Sequence, residues 1–118
     1  EILTLAMAET VQAIENIDEI CSVKGLDGIF IGSGDLKLSI KAQFGEDNRN
    51  VFEKSVDTIL KECQKRNLIS GIWCATVDDA KIMVERGFQF IALKSDSMML
   101  TEYANEQSKA IKNLLKNK

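Results

Sequence analysis

The feature that most constrains this chain is a fourfold alternation of short apolar segments with longer amphipathic ones. The short segments are apolar at nearly every position, which is typical of strands buried on both faces. The longer segments repeat apolar residues every three or four positions, which predicts helices. Strands are predicted at 2–8, 28–32, 68–75 and 88–93, and helices at 10–23, at 51–63 after a polar loop, at 76–87 and from Ser95 or Asp96 onward.

This order predicts a parallel α/β sheet, because parallel strands need crossover connections and the crossovers bring helices onto the sheet. A flavodoxin-like sheet of four strands could stand alone, but its edges would have little protection. A (β/α)8 barrel of about 250 residues needs twice as many units. The chain has 118 residues and no proline, linker or internal repeat that would divide it. We therefore predict half of a (β/α)8 TIM barrel, with residues 1–118 as one undivided segment.

Composition excludes several classes of protein. The net charge of −3 is spread along the chain without a basic stripe, so we expect no nucleic-acid partner. The apolar runs are strand-sized and no signal peptide is evident, so we expect no membrane partner and a first residue that is a cut end. Three scattered cysteines and no histidine indicate neither disulfides nor a zinc site. A cytoplasmic protein with a small polar ligand fits best.

Two carboxylates follow neighbouring strands. Glu9 closes the first predicted strand and Asp35 follows the second, and parallel strands about 4.8 Å apart would bring them to one rim. Oxygen ligands with open positions suit Mg²⁺, Mn²⁺ or a similar divalent ion. The alternative from the residues alone is that both acids merely cap helices.

Three further positions could contribute to a site. Ser33 and Gly34 form a glycine-rich turn whose backbone N–H groups could approach a carboxylate, although it matches no nucleotide-binding motif. Trp73 could fill the core or face a pocket mouth, and the core is the more common place for a strand tryptophan. Lys94 could form a Schiff base with a 2-oxo acid, but a lysine at a strand end is more often solvated or ion-paired.

Several of these segments resemble the HpcH/HpaI family of metal-dependent 2-oxo-acid aldolases. The resemblance rests on a glutamate-threonine strand end followed by a helix at 9–20, and on a strand and turn at 25–36 with the order Gly-Leu-Asp-Gly-Ile-Phe-Ile-Gly-Ser-Gly-Asp-Leu. The segments 70–73 and 87–93 are similar to the last two strands of the family. The resemblance spans almost the whole chain and implies strands five to eight of the barrel.

The resemblance also implies roles for particular residues. Glu9 and Asp35 match the two carboxylates that bind Mg²⁺ or Mn²⁺, with Co²⁺ as a further candidate. Gly34 and Asp35 match the turn whose amides hold the substrate carboxylate. Ser33 lies in the same turn, where the family commonly has proline. Met7 replaces a substrate-contacting glutamine, and Trp73 lies near the aldehyde site, so these residues complete the predicted substrate-binding set.

The implied reaction is the reversible cleavage of a 4-hydroxy-2-oxo acid to pyruvate and an aldehyde, with the metal as Lewis acid. The family's catalytic histidine and an arginine come from its other half, and this chain has no histidine. We therefore expect no catalytic residue in this segment and no activity of the segment alone. A homo-oligomer in which the C-terminal helix packs on a neighbour is expected. A non-catalytic, self-associating half-barrel and a CoA-thioester lyase related to the citrate lyase β subunit remain as alternatives.

Overall fold

A computed structural model describes residues 2–46 and 48–116. It contains a parallel sheet with helices that follow each strand. The strands are β1 (Leu5–Ala8), β2 (Gly28–Ile31), β3 (Ile69–Cys74) and β4 (Phe90–Leu93). The helices are α1 (Val11–Glu15), α2 (Ile17–Cys21), α3 (Ser33–Phe44), α4 (Arg49–Arg66), α5 (Val77–Arg86) and α6 (Asp96–Lys116).

The four strands lie in the order β1-β2-β3-β4, so each one pairs with its neighbour in sequence. Ala8 lies opposite Ile31, and Ile31 lies opposite Ile72. A flavodoxin-like sheet would instead place its first strand between the second and the third. The consecutive order is that of a barrel wall, and the prediction of half of a (β/α)8 barrel is confirmed.

The two faces of this sheet differ in burial. Right-handed crossovers between consecutive strands place all the helices on the same face. On that face, which we call the covered face, Ile29, Ile31 and Ile72 are buried beneath the helices. On the opposite, bare face, Met7 and Phe90 are exposed. In a closed barrel the bare face would look inward.

Glycines allow close approaches within the sheet. A Cβ added at Gly71 would lie 2.9 Å from the ring of Phe30 and 3.1 Å from the ring of Phe90. These two rings pack edge to face over it, with their centroids 5.9 Å apart. At Gly28, an added Cβ would lie 2.3 Å from the carbonyl oxygen of Ile69. Both glycines are therefore required by packing rather than by backbone conformation.

Three helix ends have well-defined capping residues. The Thr76 hydroxyl accepts a hydrogen bond of 3.1 Å from the Asp79 N–H, and Thr10 accepts one of the same length from Ala13. Gly87 ends α5 with a left-handed φ of 106°, a conformation that favours glycine. The prediction of one helix over 10–23 was wrong, because the chain turns at Asn16, whose side-chain amide donates to the Gln12 carbonyl at 2.8 Å.

Two helices differ from expectation in other ways. Helix α3 occupies a segment that the sequence predicted as a polar loop, and only Leu36, Ile40 and the first-turn Ser33 are buried in it. Two buried apolar residues are too few to give the sequence of this segment a clear helical repeat. The apolar residues of α6 lie along one side, but none of them is buried. Among the described residues, no helix is both long enough and apolar enough to cross a membrane.

Candidate metal and substrate site

Glu9 stands one residue beyond β1, where it packs against the turn after β2. The Gly32 N–H donates to the carbonyl of Ala8 at 3.3 Å, so the sheet pairing continues to this point. A Cβ added at Gly32 would lie 2.8 Å from Glu9 Oε2 and 3.6 Å from Met7 Sδ. The absence of a side chain at residue 32 therefore lets the Glu9 carboxylate lie on the start of α3.

Asp35 lies in the first turn of α3, exposed to solvent. Neither carboxylate caps a helix, because Thr10 caps α1 and Gly32 is the cap residue of α3. Within residues 2–46 and 48–116, neither carboxylate accepts a hydrogen bond or forms an ion pair with another side chain. Neither carboxylate is therefore a side-chain cap, although Asp35 occupies the first-turn position that favours an acid.

The donor set fits a hard divalent cation. In the part of the chain that the structure describes, no cluster of three or more acidic, histidine or cysteine side chains could hold a metal. Glu9, just past β1, and Asp35, in the first turn of α3, supply two carboxylates, the number that Mg²⁺ commonly takes from protein while keeping water or substrate oxygens. Their role as a joint metal site stays a prediction.

Of the two turn residues predicted to bind substrate beside this pair, one has space around it for a ligand and the other has a side chain that is already hydrogen-bonded. Gly34 is exposed, and a Cβ added there would meet no atom within 4 Å, so its backbone faces open space. The Ser33 side chain is buried, and its hydroxyl donates to the carbonyl of Trp73 at 2.7 Å. Ser33 therefore ties α3 to β3 and offers a ligand only its backbone.

Met7 and Trp73 occupy the bare face of the sheet. Met7 is exposed beside Gly32. Trp73 is half-buried, and its indole N–H donates to the Lys94 carbonyl at 3.2 Å. Its neighbours Ile72 and Cys74 belong to the core beneath the helices, and Trp73 does not; the choice between barrel interior and pocket mouth for Trp73 stays a prediction. Both side chains lie on the face that a barrel turns inward.

A family model described as HpcH/HpaI aldolase/citrate lyase matches residues 1–102. This chain belongs to the HpcH/HpaI family. The hydroxypyruvate/pyruvate aldolase of Rhizorhabdus wittichii is 32% identical over 106 residues, which are 89% of this chain and 42% of that protein. The chain thus spans less than half the length of this relative. The prediction of the family is confirmed, and curated members similar to the chain are named aldolases.

Solved structures share the fold of this HpcH/HpaI chain. An HpcH/HpaI aldolase from Desulfitobacterium hafniense superposes with a TM-score of 0.84 at 26% identity, over 95% of this chain and 43% of that one. The protein CitE from Mycobacterium tuberculosis, solved in complex with magnesium and acetate, gives a TM-score of 0.65 at 18% identity over 80% and 45% of the two chains. The second match shows the shared fold alone.

Lys94 is not arranged as a Schiff-base lysine in this HpcH/HpaI chain. Its ammonium forms an ion pair with Glu102 of α6, and its backbone has a left-handed φ of 57°. A Schiff-base lysine must be free to attack a carbonyl carbon, whereas the Lys94 amine is engaged by a carboxylate within the fold. The geometry agrees with the ion-paired role that was expected of Lys94.

The sequence did not reveal a cleft on the covered side of this HpcH/HpaI half-barrel. It has a volume of about 440 Å³ and lies between α3, α4 and α5. Four of its six charged lining residues, Lys37, Lys41, Glu46 and Arg49, precede residue 51, in the segment where the sequence predicted only a polar loop. Its basic side chains are Lys37, Lys41 and Arg49.

Proposed function

We propose that the complete protein is a divalent-metal-dependent aldolase that reversibly cleaves a 4-hydroxy-2-oxo acid to pyruvate and an aldehyde. The observation that supports this most strongly is a pair of carboxylates in an HpcH/HpaI chain, Glu9 just past β1 and Asp35 in the first turn of the helix that follows β2. Mg²⁺ and Mn²⁺ are the proposed ions, with Co²⁺ as a further candidate. The magnesium in CitE supports this choice.

Each residue of the proposed site has a role that follows from its position. Glu9 and Asp35 would hold the metal, which supplies Lewis-acid polarisation of the 2-oxo group. The free first-turn amides at Gly34 and Asp35 would bind the carboxylate of the 2-oxo acid, because helix N-terminal amides favour anions. Met7 and Trp73 would contact the organic part of the substrate on the inward face.

We further propose that residues 1–118 form the C-terminal half-barrel of this aldolase and are inactive alone. The chain lacks histidine and spans 42% of the hydroxypyruvate/pyruvate aldolase. A general acid/base would therefore come from the other part of the protein. The free cysteines favour a reducing compartment, and we propose the cytoplasm.

The test compares Glu9→Gln and Asp35→Asn with Glu15→Gln, an exposed position on α1, in the complete protein. Removing either ligand charge should weaken Mn²⁺ binding by more than about tenfold and reduce pyruvate release from 4-hydroxy-2-oxopentanoate. Glu15→Gln should change neither. Calorimetry measures the metal binding and a coupled pyruvate assay measures the rate. Full metal binding and full activity in Glu9→Gln would refute the proposed site.

The CoA-thioester lyase alternative predicts a different product. The same complete protein would release acetyl-CoA from an acyl-CoA substrate and no pyruvate from hydroxy-oxo acids. The names of two curated relatives, a hydroxypyruvate/pyruvate aldolase and a 2-dehydro-3,6-dideoxy-6-sulfogluconate aldolase, favour the aldolase.

We also propose a homo-oligomer in which α6 packs on a neighbouring copy. An amphipathic helix gains its stability in a protein chiefly from packing its apolar side, and the apolar side of α6 has no cover in a single chain. Its exposed residues include Leu100, Tyr103, Ile111, Leu114 and Leu115. Ile111→Gln should shift the complete protein towards smaller species in analytical ultracentrifugation, whereas Lys109→Gln on the opposite side should not. Equal sedimentation of the two variants would contradict this packing.

A further inference from the structure

A second place on the molecule has the properties of a ligand site. The cleft between α3, α4 and α5 has a volume of about 440 Å³, within the range of roughly 300–1,000 Å³ that small-molecule sites occupy. Phe52, Leu38 and Met83 supply apolar walls, and Lys37 and Arg49 supply charge.

This cleft adjoins the proposed substrate site. Ser33, Gly34 and Trp73, which belong to the predicted substrate-binding set, are part of its lining. The proposed metal ligands Glu9 and Asp35 do not line it. The cleft therefore borders the proposed substrate site without including the metal-binding pair.

The acidic groups of the cleft are already engaged. Glu46 pairs with Lys41 at 2.7 Å, and Glu53 pairs at 2.9 Å with Arg86, which lies outside the cleft. Asp79 accepts a hydrogen bond of 2.7 Å from the Thr76 hydroxyl. The carboxylates are therefore occupied by partners within the fold.

Among the residues that the structure describes, Lys37 and Arg49 have no such partner. Across residues 2–46 and 48–116, no carboxylate lies within 4.0 Å of the Lys37 ammonium or the Arg49 guanidinium. Lys37 Nζ instead lies 4.7 Å from the centroid of the Phe52 ring. Positive charge thus stands directly beside an aromatic wall.

We propose that this cleft is a binding site for a small organic anion, in which Lys37 and Arg49 contact an oxyanion such as a phosphate or carboxylate. Arg and Lys form strong charge-assisted hydrogen bonds to such groups. The compact organic body of the ligand lies against Phe52 and Met83. In this proposal the anion requires neither Glu9 nor Asp35, so the test below can fail without a failure of the proposed metal site.

Phenyl phosphate is a suitable probe, because it joins an oxyanion to a ring that Phe52 can contact. The titration uses the complete protein in EDTA at low ionic strength, with calorimetry or NMR as readout. Saturable binding should weaken by roughly tenfold in Lys37→Gln and in Arg49→Gln. It should be unchanged in Lys61→Gln, an exposed lysine of α4 outside the cleft, and in Glu9→Gln.

The comparison of ligands and the salt dependence sharpen the test. Phenol, which lacks the charge, should not bind, and added NaCl should weaken phenyl phosphate. Benzoate binding as tightly as phenyl phosphate would assign the site to carboxylates as well, and weaker benzoate binding would assign it to phosphates. The proposal is overturned if binding is absent up to about 10 mM, if Lys61→Gln weakens it as much as Lys37→Gln, or if Glu9→Gln alone abolishes it. Circular dichroism checks that each variant is folded.

Discussion

The two faces of the sheet present opposite environments within one set of strands. On the covered face, Ile29 and Ile31 are 0% exposed and Ile72 is 1% exposed. On the bare face, Met7 is 59% exposed and Phe90 is 44% exposed. Burial of apolar area is the main source of folding free energy. In this chain the covered face therefore supplies most of the stability, while the bare face holds the residues proposed to contact substrate.

The largest loss of stability is expected when a buried side chain on the covered face is shortened. Ile31→Ala in the 118-residue chain should lower the free energy of unfolding by about 3 kcal/mol, because the side chain is fully buried and leaves a cavity. Met7→Ala, on the bare face of the preceding strand, should stay within about 0.5 kcal/mol. Urea denaturation monitored by Trp73 fluorescence measures both. Equal losses would mean that the faces are not energetically distinct.

A smaller loss of stability is expected when a methyl group is added on the bare face, where neighbouring side chains can move. Gly71→Ala would bring a Cβ to 2.9 Å from the Phe30 ring, and overpacking of this kind costs about 1 kcal/mol when neighbours can shift. Gly34→Ala meets no atom within 4 Å inside α3 and should stabilise by roughly 0.5 kcal/mol through helix propensity. Thermal unfolding should therefore show a lower melting temperature for Gly71→Ala and a higher one for Gly34→Ala. A loss in Gly34→Ala would show that its surroundings are crowded.

The smallest change in the free energy of unfolding at neutral pH is expected from ionisation of the buried cysteine thiols on the covered side. Burial raises the pKa of Cys63 to about 12, from an ordinary value near 9, and burial also raises the pKa of Cys21. A raised pKa means that the protonated thiol is favoured in the folded state. Its contribution to stability is present below pH 9 and is lost as the pH rises towards 12.

The variant Cys63→Val isolates this contribution from the titration of lysines in the same range. Urea denaturation at each pH gives the free energy of unfolding of the parent chain and of Cys63→Val. Between pH 9 and pH 11 this free energy should fall more in the parent chain than in the variant. A constant difference across that range would mean that the Cys63 thiol ionises equally in the folded and unfolded chains.

The sequence predicted the elements whose features are local. Thr76 and Gly87 bound a helix through their own capping chemistry, and the strand at Gly28–Ile31 is a run of apolar residues after a packed glycine. The family resemblance then identified the barrel. Helix α3 was missed, because Leu36 and Ile40 alone bury too little to give a period.

Features that depend on tertiary contacts could not be predicted in the same way. Strands that are apolar at nearly every position do not reveal which face is covered, so the exposure of Met7 and the half-burial of Trp73 emerged only from the crossovers. The cleft joins Lys37, Arg49 and Met83 from three helices, and no spacing in sequence links them. The placement of Glu9 and Asp35 as metal ligands stays a prediction.

The consecutive strand order also bears on how the chain acquires its structure. Strands β2, β3 and β4 each pair with the strand made just before them, so none of these three pairings waits for a strand that is distant in sequence. The β3–β4 pair is separated only by α5, whereas the β2–β3 pair has both α3 and α4 in its connection. Closing a longer loop costs more entropy, and non-local pairing slows folding. We therefore expect the last unit to assemble fastest and the junction of β2 with β3 to be the slow step, while a ribosome-bound chain adds one unit at a time.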